Sequence, residues 1–163
     1  MSTKIVILGA GESGVGAALL AKQKGYDVFV SDASAIKPIF QAELEANNIQ
    51  FESGSHDVER ILAADEVMKS PGIPEKSELV KQIRAKGIPV ISEIEFGFRY
   101  KGDGKIVAIT GSNGKTTTTS LLYHICKVAE EDVAIVGNIG FSFARQIAVD
   151  PKKLYVIEVS SFQ

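Results

Sequence analysis

The chain has 163 residues, 45% hydrophobic and 23% charged, with a formal net charge of −2 and a single cysteine. That length suits one ordinary domain or two small ones, and no apolar run is long enough to span a membrane. The near-neutral charge excludes a basic nucleic-acid surface, and one cysteine excludes an intrachain disulfide and fits a reducing cytoplasm. The N-terminus runs straight into a strand, with no charged region, long apolar stretch and cleavage site of a secretory signal.

Strand-like and helix-like stretches alternate along the chain. Ile5-Val6-Ile7-Leu8 predicts a strand, 14–24 a helix, Val28-Phe29-Val30 a second strand and 38–47 a second helix. A short strand follows at Ile49-Gln50-Phe51, then a helical turn over 60–64 and a strand at Glu66-Val67-Met68. A helix over 77–86 closes at Gly87, and Pro89-Val90-Ile91 leads into another short strand. This alternation predicts an α/β fold of parallel strands joined by crossover helices.

The apolar rhythm breaks at Arg99-Tyr100-Lys101-Gly102-Asp103-Gly104, which places a boundary between units 1–101 and 102–163. The rhythm then restarts with Lys105-Ile106-Val107-Ala108-Ile109, a helix over 117–128, and strands at 132–136 and 154–159. Leu121, Leu122 and Ile125 share one face of that helix, and Cys126 beside them reads as a buried structural thiol. The second unit ends directly after its last strand, whereas a parallel strand needs covering helices and neighbours. We therefore expect the chain to be part of a longer protein, with an exposed sheet edge that favours self-association.

Four motifs carry chemistry. Gly9-Ala10-Gly11-Glu12-Ser13-Gly14 lies between the first strand and the first helix, and Asp32 follows the second strand. The glycines permit a tight turn and close approach of backbone to a diphosphate, in the manner of a dinucleotide-binding loop. The pattern points to a diphosphate without saying which. Ser70-Pro71-Gly72 ends the strand at 66–68, where it either lines the same crevice or makes a plain turn.

The strongest motif is Gly111-Ser112-Asn113-Gly114-Lys115-Thr116-Thr117, a glycine-rich loop between a strand and a helix. Its backbone N–H groups and helix N-terminus converge on bound phosphates, Lys115 reaches the outer phosphates, and the Thr116 hydroxyl serves Mg²⁺. Ile109 stands where the full P-loop pattern has its first glycine, so the loop is a shortened one. Asn138, in Gly137-Asn138-Ile139-Gly140, can offer an amide to substrate or phosphate, or can simply make a turn. Glu158 is the one carboxylate within an apolar strand, a position that favours a second Mg²⁺ ligand beside Thr116. His56 and His124 are far apart without cysteine partners, which excludes a zinc site.

Together these motifs resemble the Mur ligases of bacterial cell-wall synthesis. Ile-Thr-Gly-Ser-Asn-Gly-Lys-Thr-Thr is similar to that family's shortened P-loop. The end of the chain, Glu158-Val159-Ser160-Ser161-Phe162-Gln163, is similar to the signature of its D-glutamate-adding branch. The resemblance spans the whole chain. It implies a Rossmann-like N-terminal unit for a UDP-sugar, followed by the first part of a P-loop NTPase-like central unit. It implies an ATP- and Mg²⁺-dependent amide-bond ligase of peptidoglycan synthesis, joining D-glutamate to UDP-N-acetylmuramoyl-L-alanine through an acyl phosphate.

By that resemblance Lys115 and Glu158 are catalytic, and residues 111–117 bind ATP, with Thr116 and Glu158 on the metal. Gly11, Glu12, Ser13, Asp32, Ser70, Pro71, Gly72, Asn138 and Gln163 face the UDP-substrate. The family's later metal ligands and its C-terminal domain have no counterpart up to Gln163, so this chain alone is expected to be inactive. Ala33-Ser34 stand where some relatives carry Thr-Arg to grip uracil. The alternatives are an NAD-dependent oxidoreductase, a P-loop kinase and a non-catalytic nucleotide-binding module.

Overall fold

A computed structural model describes residues 2–160. Two parallel sheets organise it. The first has the order β3-β2-β1-β4-β5, from β1 (Lys4–Leu8), β2 (Asp27–Asp32), β3 (Gln50–Ser53), β4 (Glu66–Lys69) and β5 (Val90–Ile91). The second has the order β6-β8-β7, from β6 (Lys105–Ile109), β7 (Val133–Gly137) and β8 (Leu154–Glu158). Ile5 to Leu8 are all buried, because the central strand of a parallel sheet is covered on both faces.

The helices are α1 (Glu12–Gln23), α2 (Pro38–Ala46), α3 (Val58–Ile61), α4 (Glu78–Ala85), α5 (Glu93–Tyr100), α6 (Lys115–Val128) and α7 (Phe143–Val149). Helix α3 starts two residues before the expected turn, since the Asp57 side chain accepts from the Arg60 N–H at 3.0 Å and caps it there. Sequence reading missed α5 and α7. Ser92-Glu93-Ile94-Glu95 is a capping-box pattern, and Ser92 accepts from the Glu95 N–H at 3.1 Å. Ser142 caps α7 by accepting from the Arg145 N–H at 3.3 Å.

Helix α1 is buried from Gly14 to Ala21, because the first sheet packs on one side and α7 on the other. Its small residues allow that double contact. One hydrophobic core runs through both sheets, joining Ile5, Ile7, Leu20 and Phe96 to Phe143, Tyr155 and Ile157. Phe143 meets Tyr155 edge-on at 5.0 Å. The outer face of α6 differs from expectation. Leu121 and Ile125 are exposed, Cys126 is only half-buried, and β6 is an edge strand with Val107 exposed.

No helix of the described residues is long and apolar enough to cross a membrane.

Candidate functional site

The first site forms at the carboxyl ends of β1, β2 and β4. There Gly11, Glu12, Ser13, Asp32, Ser70 and Gly72 line one cavity of about 500 Å³, together with Ala33, Ser34 and His56. Pro71 lies in the same turn but outside that lining. Gly14 is required by close approach, since a Cβ there would stand 1.8 Å from the Gly9 carbonyl oxygen. Gly11 has nothing within 4 Å of where its Cβ would be, which leaves the loop open on the ligand side.

Asp32 organises this loop. One carboxylate oxygen accepts from the Ala10 N–H at 2.7 Å and the other from the Ser34 N–H at 2.8 Å. Glu12 also has structural partners, its Oε1 accepting from the Ser142 N–H at 3.1 Å and from Arg145 Nε at 2.7 Å.

His56 is a lining residue that sequence reading missed, having considered it only as a metal ligand. The buried Ser31 hydroxyl donates to Glu52 Oε1 at 2.6 Å and lies 2.5 Å from His56 Nδ1. With its one proton given to Glu52, Ser31 accepts from Nδ1–H, so Nε2 is the nitrogen left to meet a ligand. The sequence signal is faint: a histidine three residues beyond β3, whose last residue pairs with Asp32.

The second site forms where β6 meets α6. Residues 111–114 are exposed and Lys115 opens the helix, with Gly114 as its N-cap. Lys115 Nζ donates to the Gly111 carbonyl at 2.7 Å and closes the loop on itself. Thr116 and Thr117, in the first turn of α6, are exposed. Glu158 ends β8, flanked by Ile109 of β6 and Gly137 of β7. The Val159 N–H donates to the Ile109 carbonyl at 2.9 Å, and the Asn138 N–H to the Glu158 carbonyl at 3.0 Å. Glu158 and Asn138 are thus brought to one edge of the sheet, and Thr116 lies in the first turn of the helix that follows β6. Gln163 lies outside the described residues.

Glu158 is 5% exposed, and its Oε2 has no hydrogen-bond partner among the described residues. A buried, unpartnered carboxylate oxygen is costly unless a cation completes it. Hard oxygen donors of this kind suit Mg²⁺. No cluster of three His, Cys, Asp or Glu occurs among the described residues, so most of that metal's shell would come from phosphate and water.

Helix α7 carries a charge cluster that faces α1 and α2. Arg145 donates to Glu12 and, through both terminal nitrogens, to Glu43, with Nη2 at 2.9 Å. Burial opposes the charge on Arg145, but the Glu43 hydrogen bond and the pull of both carboxylates outweigh it and raise its pKa. Glu93 accepts from the Ala144 N–H and is fully buried. Burial pushes its pKa up to about 7, the Ala144 N–H opposes that, and Glu12 adds to it.

The model of the MurD-like N-terminal domain of Mur ligases matches residues 3–92, and that of the Mur ligase middle domain matches residues 109–163. The chain belongs to the Mur ligase family. Its relatives include the UDP-N-acetylmuramoylalanine–D-glutamate ligase of Cytophaga hutchinsonii, 60% identical over 100% of this chain and 36% of that protein. The enzyme of the same name from Bacteroides fragilis is 58% identical over 98% of this chain and 36% of its own length. The chain thus spans little more than a third of these Mur ligases.

Among solved Mur ligase structures, the UDP-N-acetylmuramate:L-alanyl-γ-D-glutamyl-meso-diaminopimelate ligase of Neisseria meningitides matches with a TM-score of 0.65. It is 24% identical over 100% of this chain and 56% of its own, a likeness of fold. A pseudomurein peptide ligase type C from Methanothermus fervidus matches with a TM-score of 0.59 and 30% identity, over 98% of this chain and 33% of its own.

Proposed function

We propose that this chain carries the substrate-diphosphate unit (1–101) and the phosphate-and-metal half of the ATP site (102–163) of a UDP-N-acetylmuramoyl-L-alanine:D-glutamate ligase. The observation that carries the reading is Glu158: a buried carboxylate with an oxygen unpartnered among the described residues, at the strand end between Ile109 of β6 and Gly137 of β7. Relatives bearing that ligase name, at 57–60% identity across nearly the whole chain, support it.

In this reading the substrate carboxylate attacks the γ-phosphorus of ATP, expelling ADP and forming an acyl phosphate. The amine of D-glutamate then displaces phosphate, losing a proton to form the amide. Lys115 leaves the Gly111 carbonyl for the β- and γ-phosphates and offsets their charge, and the N–H groups of residues 111–114 hold those phosphates in line. Asn138 steers the substrate carboxylate. Thr116 and Glu158 hold Mg²⁺, which when bound neutralises charge on the phosphate oxygens.

The crevice of Gly11, Ser13, Asp32 and the Ser70-Pro71-Gly72 turn takes the uridine diphosphate. Asp32 acts there by shaping the loop, and D-glutamate binds outside this chain. A nucleotide-dependent reaction with one reduced cysteine fits a cytoplasmic setting.

Calorimetric titration of the chain with UDP-N-acetylmuramoyl-L-alanine and with NADH tests the first site. Binding of the former alone is expected, and binding of NADH alone would overturn the reading.

A further inference from the structure

Glu12 is a chemical anomaly. It sits inside a glycine-rich loop whose purpose is to receive an anion, and a carboxylate there repels a diphosphate. The structure supplies its counter-charge from 133 residues away. Arg145 is only 9% exposed at its side chain, and its Nε donates to Glu12 Oε1 at 2.7 Å. The Ser142 N–H, at the cap of the same helix, donates to the same oxygen at 3.1 Å.

The seat for that helix is built in. A Cβ on Gly16 would stand 2.2 Å from Ser142 Oγ and 2.7 Å from Arg145 Cβ, so α7 reaches α1 only because glycine is there. Glu43 braces the guanidinium from α2 with a two-nitrogen fork, a geometry that arginine meets and lysine does not.

We infer that Arg145 is a positioning residue for the diphosphate loop: it neutralises Glu12 and holds its carboxylate against α7, so that the nucleotide unit sets the anion affinity of the substrate unit. The inference rests on the uridine diphosphate reading of that crevice. It makes the two units one electrostatic device. The substrate loop is fit for a diphosphate only while α7 is seated on α1.

UDP affinity of the chain, measured by calorimetry at low and high salt, tests it. Arg145→Met weakens UDP binding about tenfold, and the loss shrinks in 0.5 M NaCl as the bared Glu12 charge is screened. Glu12→Gln in the Arg145→Met background restores affinity, because the repelling charge is gone. A role limited to holding the helices together predicts the opposite, since the double variant has lost still more contacts. Unchanged affinity in Arg145→Met, or no recovery in the double variant, overturns the inference.

Should Arg145→Met not fold, Glu12→Gln alone decides: tighter UDP binding at low salt supports the inference, and weaker or equal binding overturns it. A wild-type chain that binds no UDP overturns the uridine diphosphate reading and this inference with it. Binding that is merely insensitive to Arg145 overturns this inference alone.

Discussion

The backbone N–H of Ala144 donates to the carboxylate of Glu93, a fully buried side chain 51 residues earlier. This bond ties α7, which leads into β8 of the second sheet, to α5, which follows β5 of the first, beside the Arg145–Glu12 pair. It also gives the chain a titrating group inside its largest core.

Glu93 makes stability fall as pH rises toward neutrality. Its native pKa of about 7 lies above the unsupported value of 4.5, so the folded chain holds the proton more tightly. The stabilisation is full below about 4.5 and is lost as pH rises through about 7. Over that window the loss amounts to about 3 kcal/mol at most. Glu93→Gln keeps an acceptor for the Ala144 N–H and carries no charge. Urea unfolding at pH 5 and pH 8 should therefore show a pH-dependent loss in the wild type and a flatter profile in the variant. The variant should be the more stable of the two at pH 8.

Lys115→Ala removes the cation expected on the outer phosphates. In the full-length ligase, turnover should drop by about 10² or more, the scale for losing one preorganised charge partner of a transition state. The folded chain loses only a contact to the Gly111 carbonyl at an exposed loop, so its melting temperature should hardly move. Steady-state kinetics with thermal unfolding checks both halves, and near-normal turnover would remove the phosphate role.

Glu158→Gln separates metal binding from folding. In the wild type, Mg²⁺ with ATP at one hundred times Kd should stabilise the chain by about 2.7 kcal/mol. The variant should show little of that gain, because a neutral amide is a poor Mg²⁺ ligand. Thermal-shift titration with and without Mg²⁺ reads the difference. An equal metal-dependent shift in both proteins would refute Glu158 as a ligand.

Gly14→Ala tests the glycine-rich loop between β1 and α1. The new methyl would lie 1.8 Å from the Gly9 carbonyl oxygen, and backbone cannot yield as a side-chain tip can. Destabilisation of about 1–3 kcal/mol is expected, with loss of UDP binding from the displaced loop. A fold and affinity equal to wild type would contradict the close approach.

Much of the local architecture is legible in the amino-acid sequence. The runs at Ile5–Leu8 and Leu154–Glu158 are apolar because they are central strands, and both glycine-rich loops follow strands as their motifs require. Helices α5 and α7 are not legible in the sequence, although Ser92 and Ser142 cap them, because the short apolar stretches behind those serines have no long period. The spacing in α6 predicts an apolar face, yet Leu121 and Ile125 are exposed: periodicity shows that a face is apolar and not what covers it. His56 escaped notice for a related reason, since its place in the crevice depends on Ser31 and Glu52 holding its ring.

By itself, the sequence determined the two glycine-rich loops, the alternation of strand and helix, and Glu158 as an acid at the end of an apolar strand. Each of these is dictated within a few residues, by glycine geometry or by the period of apolar side chains. The tertiary structure alone decided that α7 sits on α1, that Arg145 answers Glu12, and that Glu93 is buried. Those outcomes join residues 51 and 133 positions apart, and only the packing of two sheets around one core brings them within hydrogen-bonding distance.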